Sequence, residues 1–130
     1  MADTSIPEDL KYSEQDEWVR IEDGRIVIGV TDYAQDQLGD IVFLELPEVG
    51  TSVTRGESFG TIESVKAVSD LFAPVSGEIL EVNGALVDGP ELVNSDCYGE
   101  GWILVVAGDA SAADGLLDAS GYAKYLEDRD

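Results

Sequence analysis

Gly60-Thr61-Ile62-Glu63-Ser64-Val65-Lys66-Ala67-Val68-Ser69-Asp70-Leu71-Phe72-Ala73-Pro74 is where two short β-suited runs, Ser58–Ser64 and Ala67–Phe72, meet at a tight turn. Short runs punctuated by Gly and Pro are how barrels and sandwiches are written. Lys66 stands in that turn and is the only Lys or Arg between Arg55 and Lys124. A turn at the end of a rigid β scaffold keeps one side chain exposed and still, which suits presentation to other proteins.

The chain on either side extends the same texture. Ile41–Leu46, closed off by Pro47, is the most apolar run and predicts a core strand. Trp18–Ile21 and Ile26–Val30 flank Glu22-Asp23-Gly24, whose Asp-Gly pair predicts a hairpin. Thr31 is placed to cap a short connecting helix over Asp32–Leu38, with Gly39 as its stop. Gly77–Val82 and Trp102–Ala107 are further strand candidates. Gly50, Val53, Glu57 and Phe59 recur 34 residues later as Gly84, Val87, Glu91 and Val93, which predicts a turn leading into an apolar strand in each copy and two similar half-sheets. After Gly108 the pattern becomes helical, with a short segment at Leu116 and Leu117, then a helix capped by Ser120 that spaces Tyr122, Tyr125 and Leu126 along one face. Residues 1–10 read as a flexible lead-in touching the body through Ile6 and Leu10, and 1–130 as a single domain.

Composition narrows the function. The chain carries 28 acidic and seven basic residues, a net charge of -21, with 44% apolar residues, so the acid lies on the surface of a folded body. Such a surface repels nucleic acid and anionic lipid and favours basic patches on partner proteins. With no histidine and only Cys97, no His-dependent nucleophilic triad and no nitrogen- and sulfur-ligated zinc site can be assembled. No calcium-loop motif is present, so no metal is assigned. One cysteine needs no oxidising compartment, and neither a signal peptide nor a membrane-spanning run is seen, so the expected setting is the cytoplasm of a bacterium or archaeon, or the mitochondrial matrix for a processed chain. These features together predict a non-enzyme.

Val65 and Ala67 leave the Lys66 amine uncrowded, and Glu63, Ser64, Ser69 and Asp70 form a readable frame beyond them. An amide at that nitrogen would remove the charge and extend the side chain into a long arm. Equally, the carboxylates could be solvated neighbours that pair with Lys66 for under about 1 kcal/mol. Spacing and composition do not choose between the two.

Glu63-Ser64-Val65-Lys66-Ala67-Val68-Ser69-Asp70-Leu71 followed by Ala73-Pro74-Val75-Ser76-Gly77-Glu78 resembles the lipoyl-attachment segment of the H proteins of the glycine cleavage system. The resemblance runs from Leu10 to Leu126 and includes Glu17-Trp18-Val19, Gly29-Val30-Thr31-Asp32-Tyr33-Ala34, Leu38-Gly39-Asp40-Ile41-Val42-Phe43, Leu92-Val93-Asn94 and Tyr98-Gly99-Glu100-Gly101-Trp102. It implies a mainly β fold, the barrel-sandwich hybrid, and lipoic acid joined covalently to Lys66. It further implies a non-catalytic, monomeric shuttle. A pyridoxal-phosphate-dependent glycine decarboxylase delivers an aminomethyl group to the lipoyl arm, an aminomethyltransferase passes the carbon to tetrahydrofolate, and dihydrolipoyl dehydrogenase reoxidises the arm. A lipoate-attaching enzyme is the fourth partner implied. By position, Glu17 corresponds to a glutamate of the cleft that protects the loaded arm, and Asp70 to the acid just past the attachment lysine. The chain departs from the family at Asp16, where histidine is usual, and at Cys97, where proline is usual; Cys97 reads as a small filler. A lipoyl relay serving 2-oxoacid dehydrogenase complexes is the alternative, since it needs the same exposed lysine.

Overall fold

The computed structural model describes residues 5–129, folded as a six-stranded and a three-stranded antiparallel sheet. The larger has the order β1 (Lys11–Tyr12), β2 (Glu17–Glu22), β3 (Arg25–Val30), β9 (Leu104–Ala107), β8 (Gly77–Val82), β5 (Ser52–Val53). The smaller is β4 (Ile41–Glu45), β6 (Ser58–Ser64), β7 (Val68–Phe72). Helix α1 (Asp32–Leu38) joins β3 to β4, α2 (Ala85–Asp88) and α3 (Leu92–Ser95) lie between β8 and β9, and α4 (Ala119–Arg129) follows a 3-10 turn at Ala110–Ala113. The architecture is the expected barrel-sandwich hybrid. No helix among the described residues is long and apolar enough to cross a membrane.

The unbroken apolar run of β3 has a physical reason, because it is covered on both faces. Ile26, Ile28 and Val30 join Leu104 and Val106 of the larger sheet and Ile41, Leu44, Ile62 and Leu71 of the smaller sheet in one core between the sheets. Val27 turns the other way, into a second cluster with Tyr12, Trp18, Val105, Tyr122 and Leu126 that fixes α4 to the outer face. Within it the Tyr12 and Tyr122 rings stack at 4.8 Å, and Trp18 Nε1 donates to the Cys97 carbonyl at 3.0 Å. Full burial of each such side chain is worth about 1.5–3 kcal/mol. Gly29 is required by this packing, since a Cβ there would lie 2.6 Å from the Trp18 ring.

The β2–β3 hairpin turns at Asp23-Gly24, and α1 has the expected bounds, with the Thr31 side chain accepting from the Ala34 N–H and Gly39 closing it at φ 79°. Ile6 and Leu10 pack on the aromatic cluster as expected, while residues 1–4 lie outside the described residues.

Four expectations need correction. The strand at Ile41 does not bury its apolar residues throughout: a register shift between Ile41 and Phe43 turns Val42 and Phe43 to solvent. The 34-residue repeat is not structural, because Gly84, Val87, Glu91 and Val93 belong to α2 and α3 or their N-termini, whereas Val53 and Phe59 are in strands. The two sheets are accordingly unequal. Leu116 and Leu117 form no helix; Leu117 exchanges backbone hydrogen bonds with Tyr12 at 2.8 Å. Finally, α4 is capped by Asp118, whose carboxylate accepts from the Gly121 N–H at 2.8 Å, and Ser120 lies inside the helix.

Gly29→Ala should cost about 1–3 kcal/mol of stability through overpacking against Trp18, read as a lower midpoint in urea with an unchanged slope. An unaltered midpoint would show that the indole can yield.

Candidate functional site

The site starts from a serine. In the β6–β7 hairpin the Ser64 N–H donates to the Ala67 carbonyl at 2.8 Å, while the Ser64 hydroxyl oxygen accepts from the Lys66 and Ala67 N–H groups at 3.1 Å each. The turn is thus closed by its own side chain, and the buried hydroxyl is occupied from within. Beside it, the Val65 N–H donates to the Asp40 carbonyl at 3.1 Å, pinning the tip to the junction of α1 and β4. The Lys66 side chain is exposed but lies over Gly39, where a Cβ would come within 3.2 Å of its Cε.

Behind the hairpin a cleft of about 170 Å³ runs between α1 and β7. Val30, Ala34, Leu38, Ile62 and Leu71 give it apolar walls; Asp16, Glu17 and Asp70 supply carboxyl groups. A larger cavity of about 300 Å³ lies beyond Ser13 and Gln15, with Arg55, Gly56 and Leu117 in its lining, and reaches neither Lys66 nor Glu17.

Glu17 is the one acid of this group inside the protein, at 2% exposure. Its carboxyl accepts from the Ser13 hydroxyl at 2.7 Å and from the Phe72 N–H at 3.2 Å. Burial pushes its pKa up to about 8; those hydrogen bonds pull it back only partly, and the Asp16 charge adds to the rise. Asp70 lies on β7 opposite Thr61 and is exposed, as is Glu63, which stands opposite Val68. The structure therefore brings Glu17 and Asp70 into one cleft and leaves Lys66 and Glu63 at the hairpin.

Sequence reasoning overlooked two positioning residues. Ser13 is buried and bonds Glu17 through both its hydroxyl and its backbone. Asn94 on α3 accepts from the Ile41 N–H at 2.9 Å and donates to the Gly39 carbonyl and the Gln35 side chain, each at 2.9 Å, so it holds the segment on which the Lys66 hairpin rests. The available signal was an amide-bearing residue flanked by the apolar Leu92-Val93 pair, a place where a buried side chain must find partners.

The two departures from the family pattern also have places. Asp16 sits at φ 71°, accepts from the Tyr122 hydroxyl at 2.8 Å, and thereby connects the cleft rim to α4. Cys97 is buried, with its thiol pushed up to about 12 mainly by desolvation, so it stays a neutral filler.

Because Glu17 holds its proton more tightly when folded, its neutral form stabilises the protein fully below about pH 4.5, and that contribution is lost as pH rises through about 8. Urea midpoints of the wild type should therefore fall across this window relative to those of Glu17→Gln; parallel profiles would exclude a raised pKa.

The geometry agrees with the comparisons. A family model described as glycine cleavage H-protein matches residues 10–129. A glycine cleavage system H protein from Rubrobacter xylanophilus is 57% identical over 125 residues, covering 96% of this chain and 98% of its own. One from Bacteroides thetaiotaomicron is 56% identical over 119 residues, covering 91% and 94%. The crystal structure of a glycine cleavage system H protein from Mycobacterium marinum superposes with a TM-score of 0.88 at 46% identity, over 94% of this chain and 99% of that one. The chain belongs to the glycine cleavage H-protein family, the lipoyl-carrying shuttle of the glycine cleavage system.

Proposed function

We propose that Lys66 carries the lipoyl group as an amide on Nζ, and that the cleft between α1 and β7 receives the loaded arm. The observation that carries this reading is the shared strand: Lys66 stands at the tip of the hairpin whose second strand walls a cleft ending at the buried Glu17. Lipoate, when bound, supplies a dithiolane that accepts an aminomethyl group at one sulfur and is later restored by oxidation. The chain's own residues do the rest. Val30, Ala34, Ile62 and Leu71 offer an apolar lining that fits a hydrocarbon arm and excludes water. Glu17 and Asp70 receive a cationic amine, and Ser13 and Phe72 keep the Glu17 carboxyl in place. An ammonium beside Glu17 favours the carboxylate and offsets the burial that holds it neutral.

In this reading the chain is a single lipoyl-carrier domain with residues 1–10 as its lead-in, working as a non-catalytic monomer in the cytoplasm. Glu63 and Asp70 form part of the frame read by other proteins, and Ser64 contributes by setting the turn. The partners are the pyridoxal-phosphate-dependent glycine decarboxylase, the tetrahydrofolate-using aminomethyltransferase, dihydrolipoyl dehydrogenase and the enzyme that attaches lipoate. A net charge of -21 favours partner faces rich in Lys and Arg.

Intact mass and peptide mapping of the protein from cells cleaving glycine should show one lipoyl group on Lys66, and none after Lys66→Arg. An unmodified Lys66 in such cells overturns the proposal. Separately, Glu17→Gln should shorten the lifetime of the aminomethylated carrier by about tenfold or more, the worth of a hydrogen bond to a charged group. An unchanged lifetime removes Glu17 from the cleft's task.

A further inference from the structure

Among the described residues, eight large hydrophobic side chains are exposed, and four of them surround the Lys66 hairpin: Val42 (47%), Phe43 (54%), Val65 (68%) and Val68 (64%). Their arrangement follows from the register. Phe43 stands opposite Glu63 and Glu63 opposite Val68, so the three side chains form one outward row across β4, β6 and β7. Val65 in the turn donates its N–H to the carbonyl of Asp40, two residues before Val42 in the chain. The neighbouring row is Glu45, Thr61 and Asp70. The result is a group of four exposed apolar side chains around Glu63, with Glu45 and Asp70 in the next row and Lys66 at the hairpin tip. The core between the sheets is complete without these side chains. A grouped exposed strip of this kind marks a contact surface.

We propose that the Phe43–Glu63–Val68 row, with Val42 and Val65 beside it, is the docking face for the enzyme that acylates Lys66, which presents an apolar patch edged by Lys or Arg. This rests on the reading of Lys66 as the attachment residue. The occupant follows from reach. Enzymes that act on the far end of a lipoyl arm can meet it away from the carrier body. The acylating enzyme must bring its donor to Nζ of an unextended lysine, so its surface has to cover whatever lies within one side-chain length of the hairpin. Charge agrees, because Glu63 lies within the row, Glu45 and Asp70 lie in the next one, and Lys66 is the only cation of the hairpin. A basic rim meets carboxylates there, while the lysine itself enters the active site. In the reaction the neutral amine of Lys66 attacks the carbonyl carbon of a lipoyl adenylate. The C–N bond forms, the C–O bond to phosphate breaks, AMP leaves with the electron pair, and the amine proton passes to solvent.

The test uses the full-length apo carrier, a purified lipoate–protein ligase and lipoyl adenylate. Acylation is followed by intact mass, and binding of the carrier to the ligase by calorimetry. Combined Phe43→Ser and Val68→Ser should raise both KM and Kd by about tenfold or more with kcat little changed, as expected for loss of an apolar anchor. Glu63→Lys, which leaves the apolar residues in place, should raise KM and weaken its salt dependence. Once fully lipoylated by excess ligase, the double variant should keep the wild-type KM as a substrate of glycine decarboxylase. KM and Kd of the double variant staying within about twofold of wild type overturn the proposal. So does a loss confined to the decarboxylase step, which assigns the face to that enzyme. A wild-type chain that the ligase cannot acylate at Lys66 refutes the attachment reading itself.

Discussion

The hydrogen bond from the Phe72 N–H to the buried carboxyl of Glu17 is the contact on which the working end of the molecule depends. Glu17 opens β2 of the larger sheet and Phe72 closes β7 of the smaller, so one side chain bridges the two sheets. Alternation along β7 explains the need. Ala67 pairs inward with Ser64 through its carbonyl, so Val68, Asp70 and Phe72 direct their backbone groups toward the open edge. A buried N–H left there without an acceptor costs about 1–3 kcal/mol. Glu17 supplies the acceptor and, in doing so, places a carboxyl group at the inner end of the cleft. The cost is a carboxyl held away from water, expressed as its raised pKa.

A second constraint operates at the other end of the same strand. The Lys66 backbone is fixed from two sides, by the Ser64 hydroxyl within the turn and by the bond from Val65 to Asp40 outside it. Asn94 secures Gly39 and Ile41 beneath it, and Gly39 at φ 79° leaves room for the lysine stem. The backbone at Lys66 is thereby anchored, while its side chain is exposed. A fixed backbone under an exposed side chain is the arrangement that suits presentation of one residue to other proteins.

The parts of this design that were legible in the sequence are those where a local rule and the tertiary fold agree. Thr31 and Gly39 bound α1, Asp-Gly turns the first hairpin, and the runs read at Ser58–Ser64 and Ala67–Phe72 pair as β6 and β7, the second beginning at Val68. Two of the misreadings fall where one register shift or a pair of short helices decides. Nothing in Ile41-Val42-Phe43-Leu44 reveals that a bulge turns its two middle residues outward. The helices α2 and α3 span four residues each, too few to display a helical period, and neither has a side-chain cap bond at its N-terminus. Asn83 does that work for α2 from one residue further out, accepting from the Ala85 N–H while its amide reaches the Glu100 and Trp102 carbonyls. Lys66 was conspicuous by its isolation among acids, and Glu17 and Asp70 only by resemblance, because their convergence is a product of the sheet packing.

The three-stranded sheet also carries both surfaces. Ser69, Asp70 and Leu71 of β7 line the cleft under α1, whereas Val68 on the same strand joins Phe43 and Glu63 on the outer face. Two-residue periodicity thus separates Leu71 from Val68, while Asp70 at the rim belongs to both surfaces. On the reading proposed above, an arm in the cleft and a protein on the outer row would meet at Asp70. The bulge at Val42 adds a second apolar residue to the outer side without taking one from the core, since Ile41 and Leu44 remain buried on either side of it. The irregularity that obscured this strand in the sequence is what enlarges its exposed face.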